Sequence, residues 1–324
     1  MTSRLKQRAW RILTGIACFA FVLYFIGSSS RVIWFPIAAS APVNSEKGEP
    51  IALQRSLTQL AVKRSSDGKS DLPIIYVITP TYSRPVQKAE LTRFSHTLML
   101  VPRIHWIVIE DSDHKTNLVK VFLMKTGIPY THLAASTPTR WKQKEPNWKK
   151  HRGVLQRNTA LEWIRNNLAA TNESGVLFFA DDDNTYSLEI FDEMRHTERV
   201  SVWPVGLVGG LMVERPLLNE TGRVVGWNSV WRPDRPFPVD MAGFGVNLRF
   251  FLSKPQAKFS YNVERGFQES ELLRHLVNSW DELEPKADRC TKVYVWHTRT
   301  EKPVLSGEDR LRKAGKRSDA GIEV

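Results

Sequence analysis

The stretch that decides the reading is Val176-Leu177-Phe178-Phe179-Ala180-Asp181-Asp182-Asp183-Asn184-Thr185-Tyr186, an apolar run that delivers three consecutive carboxylates into a turn. A short run with no polar face fits a strand buried on both sides, as strands of parallel sheets are. Adjacent carboxylates repel and raise one another's pKa, so three at one strand end call for a compensating cation. Hard divalent ions such as Mg²⁺ and Mn²⁺ take oxygen ligands and keep positions open for water or phosphate, so the run predicts a metal-diphosphate site. The alternative is a helix cap for a helix over Tyr186 to Arg195, and that accounts for one Asp rather than three.

Working outward, Leu72 to Thr79 is another buried-strand run, ending in a Pro80-Thr81-Tyr82 turn. Pro85 opens a helix whose apolar face is Leu91, Phe94, Leu98 and Val101. Ile104 to Glu110 is the next strand, followed by Asp111-Ser112-Asp113, and Val154 to Leu168 repeats apolar residues at helical spacing. Strand, helix and strand in this rhythm predict an α/β fold with a parallel, doubly wound sheet. Ligands in such sheets bind beyond the carboxyl ends of the strands, where all three polar turns fall.

Three further segments bear on chemistry. Arg140, Lys142, Lys144, Lys149, Lys150, Arg152 and Arg157 form a basic run that ends at a helix start. Lysines in such a run are ordinarily a solvated loop, whereas Arg152 and Arg157 suit an anion held at the helix N-terminus. Glu269, in Phe267-Gln268-Glu269-Ser270-Glu271, opens another helix, where an acidic residue is favourable for dipole reasons alone. His297, at the end of VYVWHTRT, either contacts phosphate or closes the fold.

The chain has 324 residues with 46 Lys+Arg against 34 Asp+Glu, a formal charge of +12, and 42% hydrophobic residues. That composition excludes a disordered chain, a fibre and a polytopic membrane protein. Arg4, Lys6, Arg8 and Arg11 precede an apolar run from Ile12 to Ile26. A span needs about 20 residues, reached here only with the flanking Trp10 or Gly27 to Ser30. The positive-inside rule then predicts a cytoplasmic tail over 1–11, a signal anchor over 12–30 and a stem over 31–71. A cleaved signal peptide with small residues at Ala38, Ala39 and Ala41 is the competing reading. Asn172 and Asn219 begin sequons, and Cys290 is the one cysteine beyond the apolar run. Part of the +12 thus orients the chain in a membrane and part lies beside the Asp run, so nucleic acid is not an expected partner.

PTY, IEDS, HRGVLQRN, FFADDDNTYS, SVWPVGLVGG, RPFPVDMAGF, QESELL and VWHTRTEKP, in that order, resemble the animal beta-1,3-glucuronosyltransferases from about Leu72 to Val324. EPNWKKHRGV and the SDAGIEV end are similar to the branch that builds the proteoglycan linkage region. The resemblance implies a GT-A fold over 72–324, with a donor half over 72–183 and an acceptor half over 184–324, in a single-pass type II Golgi membrane enzyme. It implies Mn²⁺-dependent, inverting transfer from UDP-glucuronic acid to the 3-hydroxyl of a terminal galactose. Carried over by residue, Pro80, Thr81 and Tyr82 line the uridine site and Asp111 meets the uracil edge. Arg152 and Arg157 hold the donor, Asp182 the ribose and Asp183 the metal, with Asp181 near the donor sugar. His297 and Arg299 touch the diphosphate and sugar, and Glu269 is the base. Asn184, Glu214, Trp231, Arg235 and Asp240 fall at acceptor positions. A homodimer is also implied, although Ser306-Gly307-Glu308 lacks the glutamine expected of its tail contact. Alternatives are the same transfer to N-acetyllactosamine, an inactive glycan-binding homologue, and a metal-dependent nucleotidyltransferase or phosphohydrolase. Intact Asp183 and Glu269 argue against the inactive homologue.

Overall fold

The structure, a computed structural model, describes residues 72–141 and 151–322. The expected tail, anchor and stem over 1–71 and the lysines from 142 to 150 lie outside the described residues. Among those described, no helix is long and apolar enough to cross a membrane.

In chain order, the first half comprises β1 (Ile74–Thr81), α1 (Gln87–Leu98), β2 (Ile104–Glu110), α2 (Asn117–Thr126), β3 (Tyr130–Ala134), α3 (Val154–Leu168) and β4 (Gly175–Phe179). The four strands pair in parallel, β4 and β2 flanking β1 and β3 lying beyond β2. The register sets Ile78 beside Phe179 and Thr81 beside Glu110. Three turns therefore end level: Ala180 donates to the Ile78 carbonyl at 3.0 Å, and Asp111 to the Thr81 carbonyl at 2.8 Å. Every residue of β4 is buried, as a run without a polar face requires. Leu91, Phe94 and Leu98 of α1 are buried on one face, and Phe94 meets Trp106 of β2 edge to face at 5.6 Å. α2 is capped by the Thr116 side chain and stopped by Gly127 in the left-handed region at φ 69°.

The second half adds β5 (Thr185–Tyr186), α4 (Leu188–Met194), β6 (Val200–Val202), β7 (Val205–Val208), β8 (Leu211–Leu218), β9 (Val224–Asn228), β10 (Phe244–Asn247), α5 (Leu248–Leu252), α6 (Gln268–Leu273), β11 (Glu284–Pro285), β12 (Val295–Trp296) and α7 (Ser306–Lys313). Here parallel pairing stops. β10 runs antiparallel to both β4 and β6, and β11 joins the far edge, giving a mixed seven-stranded sheet in the order β11-β6-β10-β4-β1-β2-β3. The reason is connectivity: the chain leaves β6 for the hairpins β7-β8-β9 of a separate five-stranded sheet before β10 returns. The mixed α/β arrangement agrees with the expected GT-A class, and the segment after 184 supplies three strands of the first sheet.

The expected helix over Tyr186 to Arg195 is shorter than its pattern. Thr185 and Tyr186 pair instead with β12, and the residue before α4 is Ser187, so no Asp of the run caps that helix. Burial draws Tyr186 inward, and its hydroxyl donates to the Asp181 carbonyl at 2.9 Å. From Ala287 to Cys290 all four φ angles lie between 52° and 60°, a left-handed turn that nothing in the composition signals, and it buries Cys290.

Candidate active site

Two cavities open where the strand ends meet. The first, about 430 Å³, is lined by Pro80, Thr81 and Tyr82 after β1, Asp111 after β2, Arg152 and Arg157 at the start of α3, and Asp181 to Asp183 after β4. It thus gathers eight of the ten expected donor residues together with the expected metal ligand. Tyr82 is half exposed and presents its ring to the opening. Asp111 is fixed from the side, because the backbone and hydroxyl of Thr137 donate to its two oxygens at 2.7 and 2.8 Å. Behind it, Glu110 is buried and accepts from His132 at 2.6 Å and from Thr116. Burial alone would raise the Glu110 carboxyl, and the hydrogen bonds from His132 and Thr116 outweigh it and hold it low.

The three carboxylates meet different fates. Arg157 donates to Asp181 at 2.6 Å and to the Arg152 carbonyl at 3.1 Å. Asp182 accepts from Thr81 Oγ1 at 2.7 Å and from Arg84 at 2.6 Å. Burial pushes the Asp182 carboxyl up, and Arg84 and Thr81 pull it back part of the way. Asp183 has no hydrogen-bond or ion-pair partner recorded among the described residues, while Arg93 and Thr298 both donate to its backbone carbonyl. Burial and then its neighbours Asp181 and Asp182 push its carboxyl up to about 6. One carboxylate, held by its backbone with its oxygens unclaimed beside two neutralised ones, suits a cation. Among the described residues no cluster of three or more His, Cys, Asp or Glu is arranged to hold a metal. A single protein ligand completed by diphosphate oxygens is the arrangement such a site allows.

The second cavity, about 830 Å³, is lined by Gly209, Glu214, Trp231, Arg235, Asp240, Gly266, Glu269, His297 and Arg299 among others. His297 and Arg299, expected on the donor, fall here. The guanidinium carbons of Arg235 and Arg265 lie 5.0 and 5.4 Å from the centre of the Trp231 ring. Gly266, at φ 85°, sits so close that a Cβ would run into the indole. Arg235 is buried, donates to the Trp231 and Arg232 carbonyls, and lies 3.9 Å from Glu214. Glu214 accepts from Ser229 at 2.7 Å, and burial raises its carboxyl. Asp240 lies 3.3 Å from His297 Nδ1, and the pair favours both charges: the Asp240 carboxyl is held down against the opposing effect of burial, and the imidazole is pushed up.

Glu269 stands in the first turn of α6 on this wall. Surrounding protein, and then the Asp240 charge, push its carboxyl up to about 7 against the pull of Arg235 and Arg157. The influence of Arg157 links the two cavities, as does that of Asp181 on His297. Next to Glu269, Gln268 Nε2 bonds the Ser260 carbonyl at 2.6 Å and lies 3.2 Å from His151 Nδ1, tying the helix to the donor wall. Asn184 lines neither cavity; it is buried, with neither amide atom hydrogen-bonded among the described residues. Asn172 and Asn219 are exposed.

Sequence reading missed Arg84, His151, Trp141 and Gly266. Arg84 lies inside the PTYSRP turn, so its signal was position alone; its partner Asp182 is 98 residues away.

Residues 94–301 match Glycosyltransferase family 43. Over 260 residues, 78% of this chain and 84% of the relative, the sequence is 56% identical to galactosylgalactosylxylosylprotein 3-beta-glucuronosyltransferase I of Drosophila melanogaster. It is 54% identical over 264 residues, 78% of each chain, to galactosylgalactosylxylosylprotein 3-beta-glucuronosyltransferase 3 of Homo sapiens. To galactosylgalactosylxylosylprotein 3-beta-glucuronosyltransferase 1 of Homo sapiens it is 53% identical over 259 residues, 78% and 77% of the two chains. The family match takes in the Asp run, the Glu269 helix and the His297 strand end, and by descent as well as by geometry the chain belongs to glycosyltransferase family 43.

Proposed function

We propose that this protein transfers glucuronic acid from UDP-glucuronic acid to the 3-hydroxyl of the terminal galactose in the Gal-Gal-Xyl linkage region of proteoglycans, with inversion. The observation that carries the reading is Glu269, a carboxyl pushed up to about 7 on the wall of one cavity, within electrostatic reach of the Arg157 that grips Asp181 in the other. A base works best with a pKa near the operating pH, and burial brings this carboxyl up toward that range. The relatives' names, each a galactosylgalactosylxylosylprotein 3-beta-glucuronosyltransferase, support the acceptor.

In the reaction, Glu269 takes the proton of the galactose 3-hydroxyl as that oxygen attacks the anomeric carbon of the donor sugar. The new bond forms on the face opposite the diphosphate, and the bond from the anomeric carbon to the diphosphate breaks. Tyr82 stacks the base, Asp111 and Asp182 hold uracil and ribose, and Arg152 and Arg157 orient the anionic donor. His297, whose imidazole Asp240 pushes toward its charged form, and Arg299 face the developing negative charge from the acceptor side. Trp231, on the cavity wall, offers apolar surface to a galactose ring, while Glu214 and Arg235 offer polar contacts to its hydroxyls. Mn²⁺ held by Asp183 would supply charge stabilisation of the departing diphosphate.

The basic residues before the apolar run support a type II orientation with the catalytic residues lumenal, and the resemblance to the glucuronosyltransferases supports the Golgi membrane. A homodimer is part of the same reading. Purified protein given UDP-glucuronic acid, Mn²⁺ and a Gal-Gal-xyloside should release UDP and form a β1,3-linked glucuronoside. Absence of turnover with every galactose-terminated acceptor would overturn the reading, and preference for N-acetyllactosamine in direct competition would reassign the acceptor.

A further inference from the structure

Arg84 lines the first cavity and meets three segments of the chain: the turn after β1, helix α1 and the Asp run after β4. Its Nη2 donates to Asp182 Oδ1 at 2.6 Å, and its Nε to Glu90 Oε2 at 2.8 Å. Its Nη1 donates to the Tyr82 carbonyl at 3.1 Å, while the guanidinium carbon lies 4.6 Å from the centre of the Tyr82 ring. The side chain is 12% exposed, and those of Glu90 and Asp182 are 3% and 7% exposed. One buried guanidinium therefore meets two buried carboxylates and an aromatic ring.

We infer that Arg84 is a positioning residue of the donor cavity, holding the Asp182 carboxylate and the Tyr82 ring in the arrangement that receives the ribose and base of a nucleoside diphosphate. The inference rests on the donor reading above and adds a residue to it.

Asp182 is gripped at both oxygens: Arg84 holds Oδ1, and Thr81 Oγ1 holds Oδ2 at 2.7 Å. Gln87 Nε2 donates in turn to that hydroxyl at 3.1 Å. A carboxylate offers about four acceptor positions, so two remain for a diol. Glu90, on α1, holds Arg84 from behind. A planar fork can join two carboxylates and cover a ring at once, and a lysine ammonium on the same path cannot. Arg84 itself meets protein on every side named, so it acts through Asp182 and Tyr82.

A merely charge-balancing role would change the melting temperature and leave the recognition of ribose alone. The test compares, for the full chain, affinities for UDP and for 2′,3′-dideoxy-UDP by calorimetry, alongside KM for UDP-glucuronic acid, kcat and thermal melting. The wild type should prefer UDP by about tenfold or more, the scale of hydrogen bonds to a charged group. Arg84→Lys should weaken UDP about tenfold, narrow that preference to about threefold or less, raise KM in step and leave kcat within about threefold. Glu90→Gln, isosteric and outside the donor contacts, should narrow the preference in the same direction by a smaller factor. Either folded variant keeping wild-type UDP affinity and wild-type preference, whatever its melting temperature, overturns the inference. A wild type that binds UDP with this preference yet transfers nothing overturns the functional reading and leaves the role of Arg84 standing.

Discussion

The two cavities handle buried charge in opposite ways. In the donor cavity, Asp181 and Asp182 each have an arginine at 2.6 Å, and the Asp183 carboxylate has no partner among the described residues. In the acceptor cavity, Glu214 has its arginine at 3.9 Å, Asp240 shares a histidine, and Glu269 is pushed up to about 7. The donor side has two of its three consecutive carboxylates already paired with arginine, which suits rigid recognition of an anionic nucleotide. The acceptor side keeps a proton on the edge of leaving, which suits chemistry.

Glu269→Gln should break that contrast most sharply, lowering kcat by about 10²–10⁴ while UDP affinity, read by calorimetry, stays within about twofold. The same variant should melt higher than wild type at pH 8. The folded-state carboxyl of Glu269 lies above its unfolded value of 4.5, so it costs stability as pH rises from there through about 7, by on the order of 1–3 kcal/mol at alkaline pH. Below pH 4.5 the two proteins should melt together. Arg157→Ala should come next, raising the donor KM about 10–100-fold by removing the guanidinium that holds Asp181, with the acceptor KM little changed. The pH profile of kcat/KM should be bell-shaped: an acid limb near 7 as Glu269 loses its basic form, and an alkaline limb above the usual imidazole range as His297 loses its charge. Gly266→Ala should raise the acceptor KM by a few-fold to about tenfold through Trp231 and the strained φ, with the donor KM unmoved. Asn219→Gln should leave transfer within about twofold, because the residue is exposed and remote from both cavity linings.

What could be read in advance follows the same divide. β1, β2, β4, α1 and α3 announce themselves through unbroken apolar runs or helical spacing, and β2 and α3 have the bounds their patterns set. The Asp run is legible because its members are consecutive. Apart from the β7-β8-β9 hairpins, the acceptor half is built from strands of two to four residues whose partners lie far along the chain, so neither period nor length marks them. Glu269 shows the limit: its residue type and helix position are unremarkable, and its character comes from Asp240, Arg235 and Arg157, brought in by the fold. For Arg84 the position was visible and the partners were not. The reversal of β10 was likewise beyond a strand-by-strand pattern, since it depends on where the intervening hairpins send the chain.

β4 lies inside the seven-stranded sheet, with β1 on one side and β10 on the other, and none of its five residues reaches solvent. Its amides are therefore among those that exchange with solvent only when the whole sheet opens. The Asp run is the direct continuation of that segment, so the Asp183 end of the site is carried by a strand of the sheet buried along its whole length. Deuterium uptake at Gly175–Phe179 should lag behind that of the short β8-β9 hairpin, and gentle heating should cost acceptor recognition before it releases the nucleotide.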